Sequence, residues 1–117
     1  MTNPAGLTAR CTILESEVPV NAAFLVTVGA QVGNDIPIDI ATGTATRYKL
    51  HMWLVDAAAT PNEQTTTLPT GDNIIEWHEV TDTNGEYTLT ITHTGTHTWY
   101  LVVCLGALVV ISDAISF

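Results

Sequence analysis

An all-β chain, folded as a single β-sandwich of about eight or nine antiparallel strands, is what this sequence predicts, and three observations carry it. Threonine takes twenty of the 117 positions, and its β-branched side chain, stiff at χ1, suits the wet face of a pleated sheet and disfavours helices. Apolar and polar residues alternate with a period of two in segment after segment, and no helical period runs longer than one turn. Glycine, proline and Asn-Gly signals punctuate these segments about every 8–12 residues, the spacing of a sandwich with Greek-key or meander connections.

The elements follow in order. Met1 to Leu7 is expected to be a flexible arm (residues 1–7) before one domain at 8–117. Thr8 to Glu15 sets Ala9, Cys11 and Ile13 against Thr8, Arg10 and Thr12, a half-buried strand. Pro19 breaks the chain, and Ala22 to Val28 is an apolar run of strand length. Gly29 and Gly33-Asn34-Asp35 mark turns. Ile36 to Ile40 alternates again, and Pro37 inside it predicts an edge strand. Thr46 to Val55 is the clearest strand, with Tyr48, Leu50, Met52 and Leu54 on one face and Arg47, Lys49, His51 and Trp53 on the other. A long polar loop, Asp56 to Asn73, then carries Pro61, Pro69 and the run Thr65 to Thr67. Ile74 to Val80 is a strand, and the Asn84-Gly85 pair after it predicts a hairpin into Glu86 to His93. Thr94-Gly95-Thr96 turns the chain into His97 to Leu105, and Gly106 turns it into Ala107 to Ile111. The chain ends on Ile115-Ser116-Phe117.

Charge excludes several classes of function. Twelve acidic residues against three basic ones give a formal charge of −9. Nucleic-acid binders need basic stripes that release counterions from phosphates, and an anionic membrane surface would repel this chain. The start shows no positive region followed by an apolar one, so no signal peptide is expected. The longest apolar run, Tyr100 to Ile111, falls short of the roughly 20 residues that span a bilayer. A reducing cytosol is therefore expected at synthesis, with Cys11 and Cys104 as buried thiols rather than a disulfide.

No residue set points to catalysis. The three serines, Ser16, Ser112 and Ser116, have no Gly-x-Ser-x-Gly setting, and phosphate-cradling glycine motifs are absent. Cys11 and Cys104 sit in apolar strand patterns, away from the bases that make a thiolate. His93 and His97 bracket a turn but lack a visible third zinc ligand, and His51 and His78 lie elsewhere. Asp82 to Glu86 spaces oxygen ligands like the start of a calcium loop, but lacks the bidentate Glu and flanking helices. The chain is thus expected to be non-enzymatic, with no metal or cofactor site. The positions singled out are contact residues. Arg47, Lys49, His51 and Trp53 share one strand face suited to an acidic partner, including another copy of the chain, and Trp77 and Trp99 are further candidate anchors or core residues.

The C-terminal two thirds resemble small immunoglobulin-like β-sandwich proteins among tailed-bacteriophage virion components. The resemblance rests on Tyr48 to Ala57, on Val80 to Ile91 with its Thr81-Asp82-Thr83-Asn84-Gly85 turn, on Gly95 to Val103, and on the closing Ile111 to Phe117 with its terminal aromatic. It implies an Ig-like fold and a virion structural role, specifically a head decoration (cement) protein bound to the major capsid protein, as an oligomer with a trimer favoured. It implies a virion location after synthesis in the host cytoplasm. A tail- or fibre-associated module binding host-surface carbohydrate, with Trp77 or Trp99 as platform, is the alternative. Antibody-type domains place their core Trp much sooner after the first Cys than here, where Trp53 lies 42 residues after Cys11, so their disulfide is not carried over.

Overall fold

A computed structural model describes residues 24–117. The expected arm at 1–7 and the expected strand at Thr8 to Glu15 lie outside the described residues. Within them the chain forms eight strands and no helix: β1 (Leu25–Val28), β2 (Asp35–Ala41), β3 (Lys49–Val55), β4 (Glu76–Val80), β5 (Glu86–Thr92), β6 (Thr98–Leu105), β7 (Leu108–Ile111) and β8 (Ile115–Ser116). They make two antiparallel sheets, β1-β2-β5 and β4-β3-β6-β7, with β8 pairing the start of β6. The connections β2–β3, β4–β5 and β5–β6 each pass from one sheet to the other, the crossing pattern of an Ig-like sandwich. The all-β sandwich expected from the alternation is thus the observed fold.

The period-two pattern places the core. Ile36, Ile38 and Ile40 of β2 and Leu89 and Ile91 of β5 face Leu50, Met52 and Leu54 of β3 and Trp99, Leu101, Val103 and Leu105 of β6 in one buried cluster. Each such side chain removed from water contributes on the order of 1.5–3 kcal/mol.

Pro37 does not make β2 an edge, because β2 lies between β1 and β5. The pairing with β1 ends at Val28↔Ile38, and just beyond it Gly29 N–H donates to the Pro37 carbonyl at 2.8 Å. A strand residue's N and C=O point to the same side, so the missing Pro37 N–H faces the place where the β1 ladder stops. The proline costs the sheet no ladder bond with β5. Gly29 is needed there, since a Cβ would stand 2.9 Å from Pro37 Cγ.

The Asn84-Gly85 turn is likewise not a hairpin, because β4 and β5 belong to different sheets. Locally it is a tight reversal: Asn84 N–H and Glu86 N–H donate to Asp82 Oδ1 at 2.9 and 3.0 Å. Gly85 has φ 75°, and a Cβ on it would lie 2.1 Å from the Thr44 carbonyl oxygen. The turn therefore docks against the β2–β3 connection, where Thr42 N–H donates to the Gly85 carbonyl at 2.9 Å. A turn motif encodes the reversal, but which sheet takes the next strand depends on where the inner faces are buried. Gly106 does close a true hairpin, with Leu105 opposite Leu108.

Cys104 is disulfide-bonded, and no cysteine among the described residues is free. This corrects the expectation of a buried thiol. The apolar strand setting is common to a thiol and a half-cystine, so the local pattern carries no redox information. Cys11, the other cysteine of the chain, lies outside the described residues.

Candidate functional site

On β3 the alternation sends Leu50, Met52 and Leu54 inward and Lys49, His51, Trp53 and Val55 to the outer face of the larger sheet. Register fixes their neighbours. Lys49 lies opposite Val80, His51 opposite His78 and Trp53 opposite Glu76 on β4. On the other side His51 lies opposite Cys104, Trp53 opposite Val102 and Val55 opposite Tyr100 of β6. The outer face is graded. Trp53, Val55, Val102 and Cys104 are fully buried in a second cluster, His51 is 7% exposed, and Lys49 and Arg47 are open to solvent.

The sequence's contact residues therefore divide. Arg47 and Lys49 are exposed, with no ion pair among the described residues. Trp53 shares their face but presents no surface, and its Nε1–H donates to the Pro61 carbonyl at 2.7 Å, pinning the loop after β3. Trp99 is also without exposed surface. Its Nε1–H donates to the Thr67 carbonyl at 3.1 Å, and His93 and Phe117 meet its ring edge-on at 4.8 and 5.8 Å. Trp77 is half-buried, packed against the main core. Of the two readings the sequence left open, anchor or core, Trp53 and Trp99 take the interior one.

The loop from Asp56 to Asn73, long enough to suggest a mobile or binding segment, is instead pinned along its length. Thr65 N–H donates to the Leu54 carbonyl at 2.8 Å and Gly71 N–H to the Thr92 carbonyl at 2.9 Å. Thr92 N–H in turn donates to Asp72 Oδ2 at 3.0 Å, so the loop covers the end of the β5 edge. Thr70 N–H donates to His93 Nδ1 at 3.2 Å. His97 Nε2 pairs with Asp56 Oδ1 at 3.0 Å. Burial alone would raise the Asp56 carboxyl, but the bonds from His97 and Thr65 and the His97 charge outweigh it and hold it below 3.8. The two histidines that bracket the turn thus have separate partners.

The histidines that converge are two others. His51 Nε2 lies 2.5 Å from Glu76 Oε2, and His78 Nε2 lies 3.7 Å from the same oxygen. The imidazoles stack with centroids 4.2 Å apart and planes 18° apart, and Gln64 Nε2–H donates to Glu76 Oε1 at 3.3 Å. Sequence reasoning missed this trio because β3 and β4 meet across a loop whose length hides their register. The available signal was Glu76-Trp77-His78, which puts Glu76 and His78 on one face.

Where β3 begins, an open groove of about 420 Å³ has Arg47, Val80, Asp82, Glu86 and Tyr87 in its lining. A second, of about 280 Å³, shares Glu86 and Tyr87. Between the sheets, Tyr87 O–H donates to Glu79 Oε2 at 2.9 Å. Burial, that bond and the Glu79 charge push the phenol up from 10.0 to about 12. No family model matches the chain, and neither a curated protein nor a solved structure matches it.

Proposed function

We propose that this chain is a non-enzymatic structural protein that docks in multiple copies through the open end of the β3–β4 edge, acting as a decoration (cement) protein on the major capsid protein of a phage head. One observation carries the docking part. The only two cations among the described residues, Arg47 and Lys49, stand unpaired and exposed beside Val80, itself 51% exposed, in a chain of charge −9. Opposite charge steers encounter and fixes register, so this corner favours an acidic surface, including a second copy of the chain. The capsid assignment rests on the resemblance of the strand and turn motifs. The disulfide at Cys104 is compatible with it, since a released particle meets an oxidising medium. The carbohydrate-binding alternative is weaker, because Trp99 has no exposed surface to offer a sugar.

The test is the solution mass by size-exclusion chromatography with light scattering, on the native chain and on a variant carrying Arg47→Glu and Lys49→Glu. An oligomer, with a trimer of 12.5 kDa chains the expected state, that dissociates on charge reversal supports the reading. An oligomer indifferent to the reversal overturns the docking surface, and a monomer at every concentration weakens the decoration reading.

A further inference from the structure

We propose that His51, Glu76 and His78 form a binding site for a zinc(II)-type transition-metal ion that clips the edge strand β4 to β3. The inference stands apart from the docking reading and uses different residues. The three donor atoms, two imidazole Nε2 and one carboxylate oxygen, all lie within 4.8 Å of one another. Zinc bonds to nitrogen and oxygen are about 2.0–2.2 Å, so donors in a tetrahedral shell stand roughly 3.4 Å apart. His78 and Glu76, at 3.7 Å, are already near that separation. His51 and Glu76, at 2.5 Å, are closed on each other as a hydrogen-bonded pair and must part by about an ångström to admit an ion.

The freedom for that movement lies where it is needed. The His78 side chain is 71% exposed, so it turns without disturbing the core, and that of Glu76, 37% exposed, reaches solvent. His51 is the fixed member: its side chain is 9% exposed, and its ring leans on Trp53 at 5.0 Å between centroids. Gln64, on the second carboxylate oxygen, holds Glu76 from outside the shell, as outer partners of metal-ligating carboxylates do. Two imidazoles and a carboxylate are the donor set that suits zinc among common divalent ions, rather than the all-oxygen set of calcium or magnesium. A tetrahedral shell leaves one further position for a fourth donor. The strongly acidic chain adds a favourable field for a cation.

The test uses the full chain with the metal alone. Cobalt(II) is titrated and followed by its visible absorption, which becomes intense in a tetrahedral nitrogen–oxygen shell, and zinc(II) then competes it away. In parallel, the thermal unfolding midpoint is measured with and without zinc. One ion per chain, a raised midpoint, and at least a ten-fold loss of affinity in His78→Ala and in Glu76→Gln are expected. His97→Ala should bind as the native chain does. His78 is exposed enough that its variant is expected to fold, which keeps the test decisive if Glu76→Gln unfolds. No saturable binding, or binding that survives His78→Ala undiminished, overturns the site.

Discussion

The two faces of the five-stranded sheet are made by the same strands yet differ in kind. The inner face, with Leu50, Met52, Leu54, Leu101, Val103 and Leu105, is uniformly apolar and buried. The outer face runs from Trp53, Val102 and Cys104, buried completely, through the half-shielded imidazole and carboxylate cluster, to Lys49 in open water. The inner face is held mainly by area and shape, with the Tyr87–Glu79 bond crossing between the sheets at its β4 margin. The outer face needs separate devices: a disulfide at Cys104, an indole bond to the loop, and the pairing of His51 and His78 with Glu76. A face that meets the opposite sheet carries few polar groups, whereas a face covered unevenly holds more of them, each by a specific partner.

Replacing Leu101 with Ala tests the inner face and should have the largest effect. A fully buried leucine leaves a cavity in a close-packed core, so a loss of about 2–5 kcal/mol is expected in chemical denaturation. Reduction, or Cys104→Ser, tests the outer face and should cost about 2–4 kcal/mol, seen as a lower unfolding midpoint under reducing conditions. A midpoint indifferent to reductant would show that the outer face does not depend on its covalent tie. Trp53→Phe keeps most of the ring and removes the bond to Pro61, so about 1 kcal/mol should be lost, with faster proteolysis in the loop that begins at Asp56.

Tyr87 joins the two sheets and titrates accordingly. Its folded value, about 12, lies above the ordinary 10.0, so the fold favours the protonated phenol. The stability it contributes is fully present below pH 10 and is lost as pH rises through 12. Phenolate absorbance should show one late-titrating tyrosine that disappears in Tyr87→Phe. Lys49→Ala, at the wet end of the outer face, should shift stability by no more than about 0.5 kcal/mol. A larger shift in the isolated chain would mean that this lysine is spent inside the fold rather than held for a partner.

Much of this was legible in the residues themselves. Alternation in Tyr48 to Val55 assigned the inner side chains correctly, and the Gly106 hairpin formed where its turn residues placed it. The sites were less legible. The exposure of Arg47 and Lys49 was legible from charge and alternation, because a lone cation on a strand face has few places to go but water. Trp53 and Trp99 were not separable from surface anchors, since an indole's burial depends on whether a distant carbonyl, from Pro61 or Thr67, comes to meet its N–H.

Sequence by itself determined what is local: strand period, turn positions, the acidic surface and the all-β class. These depend on side chains a few residues apart. Tertiary structure alone decided what is paired at a distance. It put β2 in the middle of its sheet despite Pro37, sent β4 and β5 to opposite sheets despite Asn84-Gly85, joined His51 to Glu76 and His78, and gave Cys104 a disulfide partner. Each of these is a choice of partner, and partners are chosen by which arrangement buries every inner face at once.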